Sequence, residues 1–270
     1  MLQEGLDVAL GRLPTGWDAA VSWRKLRHAL APGIVRQKVE ERAIDAILDH
    51  ARRLLRHAAR PKRAESVGWP DEGELDLDET LARPRPWSPE DLRLARQVPR
   101  EVDVVAILDM SLSMTGEKIA LVAVAAAILR MKLEDVAVVA FDTGPHVLVR
   151  VGERVSPREL VRRVLAVPAQ GYTNIEGGLL AASEQLRRSA RRERVGILLT
   201  DGIANVGGDP VSAAGRLPRL HVVHLGDHHP QGARACRGMA QKGHGRLYRA
   251  RTYGDLPGVV RTAVRELFRG

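Results

Sequence analysis

A single cysteine, Cys236, stands in a chain of 270 residues. No disulfide can form within the chain, and a reducing cytoplasmic location is expected. Aromatic residues make up only 3%, and all four Trp precede residue 88. That scarcity argues against a stacking surface for nucleic acid, which interleaves aromatic and basic side chains. Long apolar runs are missing too. The longest uniformly apolar stretch, through Ala120–Leu129, falls well short of the ~20 residues that span a bilayer. The first residues, MLQEGLDVALGRLP, lack a basic segment followed by an apolar one, so no secretory leader is expected. No Gly-x-x-x-x-Gly-Lys-Ser/Thr loop occurs, which excludes a phosphate loop of that type.

What the chain does have is hydrophobic mass and positive charge. Hydrophobic residues make up 44%, enough for a packed core. Lys and Arg number 42 against 33 Asp and Glu, net +9. The excess is uneven: residues 1–100 hold 18 basic and 16 acidic side chains, residues 101–270 hold 24 and 17. A solvated Arg-rich surface or an acidic protein partner accounts for this charge, and nucleic-acid binding is not expected.

Three regions follow from the pattern. Residues 1–60 read as helical. Apolar residues from Ile34 and Val35 to Leu54 and Leu55 recur at three- and four-residue steps, between Pro32-Gly33 and Pro61. A shorter helix is expected over Trp17 to Leu30. Residues 61–101 carry six prolines and the acidic cluster DEGELDLDET, and read as an extended connecting segment. Asp76, Asp78 and Thr80 match the Asp-x-Asp-x-Thr pattern of haloacid-dehalogenase phosphatases. That chemistry needs the first Asp at the end of a buried strand, and SVGWPDEGEL is no such strand.

From residue 102 to 270 strands and helices alternate. VDVVAILD, DVAVVAFDT, RVGILLTDG and RLHVVHLG are continuous apolar runs, as parallel strands covered on both faces require. HVLVRVG alternates, as an edge strand does, and GRLYRA is a last strand. GEKIALVAVAAAILRMK is apolar on most sides and should be buried. The expected fold is α/β: a doubly wound, mostly parallel, six-stranded Rossmann-like sheet with one antiparallel edge strand, preceded by an α-helical N-terminal region.

Ligands of such sheets gather at the carboxyl ends of the strands. Asp109, Ser111 and Ser113 follow the first of these strands, Thr173 lies in QGYTN between two helices, and Asp201 follows LLT. Two carboxylates and three hydroxyls are hard donors. They disfavour zinc or copper and suit Mg2+. These three motifs together resemble the metal-ion-dependent adhesion site of a von Willebrand factor A (VWA) domain, over about residues 102–269. The resemblance implies metal ligation by Asp109, Ser111, Ser113, Thr173 and Asp201, with Mn2+ or Ca2+ as alternatives to Mg2+. It also implies an open position that takes a carboxylate from a protein partner. Leu112 and Tyr172 depart from the pattern, since Gly is usual at both. The whole chain is similar to bacterial CoxE-like proteins and the VWA partners of MoxR-type AAA+ ATPases. A co-chaperone or adaptor without enzymatic activity is therefore expected. A metal-assisted phosphate-ester hydrolase and a magnesium-chelatase-like subunit are the alternatives.

Other residues have plainer readings. Asp142 is expected to cap a strand end, Asn174 to cap the helix after it, and Cys236 to be a small buried residue. His221 and His224 should face opposite sides of a strand. His228 and His229 read as loop histidines rather than a second metal site.

Overall fold

The computed structural model describes residues 16–55, 62–68, 74–82, 88–99, 102–111, 117–133, 135–168, 171–226 and 229–267. In chain order the elements are helices α1 (Gly16–Ala29) and α2 (Ile34–Leu55), strands β1 (Lys62–Gly68) and β2 (Glu74–Leu75), the short helix α3 (Leu77–Leu81), and strands β3 (Arg93–Pro99) and β4 (Val102–Asp109). Then come α4 (Glu117–Lys132), β5 (Val136–Phe141), β6 (Pro145–Val149), α5 (Pro157–Ala166), α6 (Ile175–Arg187), β7 (Glu193–Thr200) and α7 (Pro210–Ala214). The chain continues through β8 (Leu220–Leu225), α8 (Pro230–Lys242), β9 (Leu247–Ala250) and α9 (Leu256–Leu267). Two compact units partition these elements: Met1–His57 with Val102–Ala263, and Ala58–Glu101 with Val264–Gly270.

The larger unit is built on a six-stranded sheet of order β6-β5-β4-β7-β8-β9. Every pairing is parallel except β5 with β6, so the expected fold holds, including its antiparallel edge. Strands β4, β5 and β8 are buried at every residue, which is why they read as unbroken apolar runs. Burial on both faces also explains why His221 and His224 are both enclosed, although they face opposite ways.

One face of the sheet is covered by α6, α7 and α8, whose Ile175, Leu179, Met239 and Cys236 pack on Val105, Ile107 and Val139. On the other side α4 is buried at every residue from Ile119 to Leu129. Helices α2 and α5 pack against it, and α1 packs on α2 and α4. An Ala-rich helix with no polar stripe needs that second cover. Arg27 of α1 donates to the Leu165 and Ala166 carbonyls at 3.0 and 2.6 Å, satisfying the unpaired end of α5. Arg158 of α5 pairs with Asp45 of α2. At its start, α5 has the expected cap: the Ser156 hydroxyl accepts from the Glu159 N–H at 3.1 Å, with Pro157 at the first position.

The smaller unit differs from the connecting segment expected for residues 61–101. It forms a three-stranded antiparallel sheet of order β1-β3-β2. The pairing from Lys62↔Pro99 to Gly68↔Arg93 accounts for it. Among the prolines described there, Pro99 ends β3 and Pro89 opens a 3-10 turn, positions that require no ladder N–H. Asp76 caps α3 by accepting from the Glu79 N–H at 3.1 Å. Its side chain serves the helix, in agreement with the rejection of a phosphatase motif.

Candidate metal centre

The sheet grows from β4 outward to β5 and β6, then returns to place β7 on the other side of β4. The carboxyl ends of β4 and β7 are therefore the topological switch point, where α/β sheets open a crevice. Asp109 ends β4 and is fully enclosed. Thr200 ends β7 and is equally enclosed, and its hydroxyl donates to Asp109 Oδ2 at 2.7 Å. The Ser111 N–H donates to Asp109 Oδ1 at 3.1 Å, and the Ser111 hydroxyl also bonds this carboxyl group. Three donors thus fix the Asp109 side chain.

These bonds do not fully compensate its surroundings. Burial, and then the negative field of Asp201, raise the Asp109 pKa from 3.8 to about 6, against the lowering effect of Thr200 and Ser111. The enclosed Asp109 carboxylate and the half-buried Asp201 stand close enough to repel.

Asp201 follows β7 in a turn whose Ile203 N–H donates to Asp201 Oδ1 at 3.0 Å. This turn lies on α8. Gly202 has φ +80°, and a Cβ there would overlap the Gly232 carbonyl oxygen and stand 2.7 Å from Cys236 Sγ. Only glycine fits. Cys236 is buried as expected. Burial, followed by the charges of Asp201 and Asp109, pushes its thiol up to about 12, so it stays protonated and offers no soft ligand.

Thr173 is held from two directions. Its N–H donates to Asn205 Oδ1 at 2.6 Å, and its carbonyl accepts from the Asn205 N–H at 3.1 Å. Asn205 belongs to the loop after Asp201, so this reciprocal pair ties the second motif to the third. On the other side the turn after β5 supports the same segment. Asn174 N–H donates to the Asp142 carbonyl at 2.7 Å, and Tyr172 N–H donates to Thr143 Oγ1 at 3.0 Å. Gly171, at φ +129°, passes so close to Thr143 that a Cβ would overlap its Oγ1, so a side chain is excluded. Tyr172, by contrast, is 62% exposed, so the departure from glycine at this position costs the fold nothing. Asn174 caps α6 as expected, accepting from the Gly177 N–H at 2.8 Å. Asp142 caps the β5–β6 turn, accepting from the Gly144 N–H at 3.2 Å and facing His146 Nε2 at 3.2 Å.

Of the five residues named from sequence, Asp109, Ser111 and Asp201 are joined by direct bonds or by charge. Thr173 is linked to the Asp201 loop through Asn205. Ser113 and Leu112 lie outside the described residues, as does His228. Thr200 and Asn205 carry structural roles that sequence reasoning missed. Thr200 sits inside the Thr-Asp-Gly motif, whose Thr was the available signal; Asn205 had none. Among the described residues no three His, Cys, Asp or Glu side chains cluster as a metal site; the described candidate ligands are the Asp109 and Asp201 carboxylates and the Ser111 and Thr173 hydroxyls. No described helix is long and apolar enough to cross a membrane.

The sequence matches the family described as VWA domain containing CoxE-like protein over residues 42–221, well over half of the chain. The chain belongs to this VWA family. The match starts within α2 and ends at the second residue of β8. Solved structures share the fold at low identity. An aerotolerance-related membrane protein from Bacteroides fragilis is 17% identical, with TM-score 0.51, covering 62% of this chain and 100% of its own. The von Willebrand factor type A protein from Catenulispora acidiphila is 20% identical, TM-score 0.52, over 64% of this chain and 44% of its own. Proximal thread matrix protein 1 from the mussel byssus, solved with a zinc-occupied MIDAS motif, is 16% identical, TM-score 0.53, over 62% and 48%. No curated protein matches the chain. The VWA domain of this protein thus gathers its described motif residues around the carboxyl ends of β4 and β7, where the fold forms its crevice.

Proposed function

We propose that this chain is a cytoplasmic, metal-dependent protein-binding adaptor. Asp109, Ser111, Ser113, Thr173 and Asp201 would hold a divalent cation, Mg2+ in preference to Mn2+ or Ca2+, directly or through water. The bound cation supplies a Lewis-acidic position for a carboxylate oxygen of a protein partner. The observation that carries this reading is the carboxylate pair at the strand ends: Asp109 is enclosed, fixed by three donors, and still destabilised by the half-buried Asp201. A cation of charge two between them removes both penalties.

The chain's own residues have defined tasks. Thr200 and the Ser111 N–H orient the Asp109 carboxylate. Asn205 sets the position of Thr173, and Gly202 lets the Asp201 turn lie against α8. Tyr172, exposed beside Thr173, is placed to touch whatever binds there. A binding role rather than catalysis is favoured by the site's chemistry. The Thr200 and Ser111 hydroxyls are engaged with the Asp109 carboxylate, and His146 bonds Asp142 rather than a serine. Membership in the CoxE-like family supports a MoxR-type AAA+ ATPase, or its client, as the partner.

Co-purification with a MoxR-type ATPase, with Mg2+ or with EDTA, tests the reading. Recovery in Mg2+ that is lost in EDTA and lost in Asp201→Ala is expected. Equal recovery under both conditions, with Ser111→Ala and Asp201→Ala harmless, removes metal-dependent adhesion.

A further inference from the structure

Away from the carboxylate–hydroxyl cluster, a groove of ≈650 Å³ runs between the C-terminal half of α2, the end of β9 and the first half of α9. Its rim is cationic. Arg249, Arg251 and Arg261 are exposed along it. The exposed Arg261 is anchored by one Nη donating to the Leu54 carbonyl at 3.1 Å. Arg249 makes no side-chain hydrogen bond or ion pair among the described residues. The single carboxylate in the lining, Asp255, is tied down by the Thr252 N–H at 2.8 Å. Between these charges the lining is mixed: Leu54, Pro257 and Val259 stand beside His50 and Thr262.

We infer that this groove docks an acidic segment of a partner protein, one that carries apolar side chains between its carboxylates. Charge complementarity sets the sign: three guanidinium groups line the groove with one carboxylate, on a chain of net charge +9. The planar forks of Arg match carboxylates two oxygens at a time. The apolar side chains Leu54, Pro257 and Val259 among the charges favour a polypeptide, whose apolar side chains can pack on them, over a phosphate backbone. The two rings in the described lining are already paired, Tyr248 with His221 at a centroid distance of 5.9 Å and His50 with Trp17 at 4.8 Å, which disfavours their use for base stacking. This surface uses none of the metal-centre residues, and the inference stands or falls separately from the proposed function.

Fluorescence anisotropy with a labelled ten-residue peptide of glutamates interrupted by leucines, in EDTA, tests it. Saturable binding that weakens with salt is expected. Arg249→Glu with Arg261→Glu should weaken it about tenfold or more, and Arg249→Lys with Arg261→Lys should retain most of it. Circular dichroism checks that each variant folds, and Arg249→Glu alone, on an exposed side chain, provides a variant that leaves packing untouched. Absence of saturable binding by the wild type, or equal binding by the Glu variants, overturns the inference. Tighter binding of an oligothymidine with the same arginine dependence also overturns it, in favour of nucleic acid.

Discussion

Thr200 and Asp109 join the two strand ends at the switch point of the sheet, hydroxyl to carboxylate at 2.7 Å, both fully enclosed. The hydroxyl replaces water that the carboxylate lost on burial. Thr200→Val keeps the shape and removes this donor. A loss of roughly 1–3 kcal/mol in unfolding free energy is expected, measured by urea denaturation in EDTA. An unchanged midpoint would show that the bond contributes nothing.

Asp109 also sets a pH dependence. Its pKa rises from 3.8 unfolded to about 6 folded, so the folded state binds the proton more tightly. The stabilisation from that proton is complete below about pH 4 and is lost as pH rises through about 6. In EDTA the ionised carboxylate then weighs against folding by on the order of 3 kcal/mol at neutral pH. Asp109→Asn should therefore gain stability relative to wild type between pH 4 and 7. A flat difference across that window contradicts the assignment. Cation binding needs the ionised form, so affinity should fall below about pH 6.

Asn205 is not among the candidate ligands, yet it fixes Thr173 through two reciprocal bonds. Asn205→Ala should cost ~10–100-fold in divalent-cation affinity, with a smaller effect on melting temperature. Asn205→Asp, which keeps the acceptor, should restore part of the affinity. Unchanged affinity in Asn205→Ala would remove Asn205 as a positioning residue.

Most of the sheet, and the sequence positions of the candidate ligands at its edge, could be read from residue patterns because their signals are local. Buried parallel strands such as β4 and β5 are unbroken apolar runs, and Ser156 and Asn174 cap the helices that follow them. The small sheet of residues 62–99 was not legible. Its strands are polar, Lys62–Gly68 and Arg93–Pro99, and antiparallel pairing between them leaves no apolar run. Asn205 was invisible for a different reason. Its role depends on a contact with Thr173, 32 residues earlier, which exists only once two loops have converged.

Gly232 ties α8 to the turn that carries Asp201. A Cβ there would overlap the Asp201 carbonyl oxygen, and backbone cannot yield as a side chain end can. Gly232→Ala is expected to lower stability by ~1–3 kcal/mol and to weaken cation binding by displacing Asp201. A calorimetric titration beside a thermal melt checks both effects. Wild-type values in both would show that the helix and the turn are not coupled.

The N-terminal helices cover α4, whose Ile119–Leu129 stretch is buried on all sides. A chain lacking residues 1–60 should expose this apolar surface, bind 8-anilinonaphthalene-1-sulfonate and melt at lower temperature than the full chain. Equal melting temperatures and no dye binding would mean that residues 102–270 need no such cover.

The central claim is that two carboxylates and their hydroxyl neighbours hold one divalent cation. Isothermal titration of the full chain with Mn2+ and with Mg2+ at pH 7.5 addresses it directly. One saturable site is expected in the wild type, abolished by Asp201→Ala and strongly weakened by Ser111→Ala. A wild type that takes up no cation, or a titration that Asp201→Ala leaves unchanged, contradicts it.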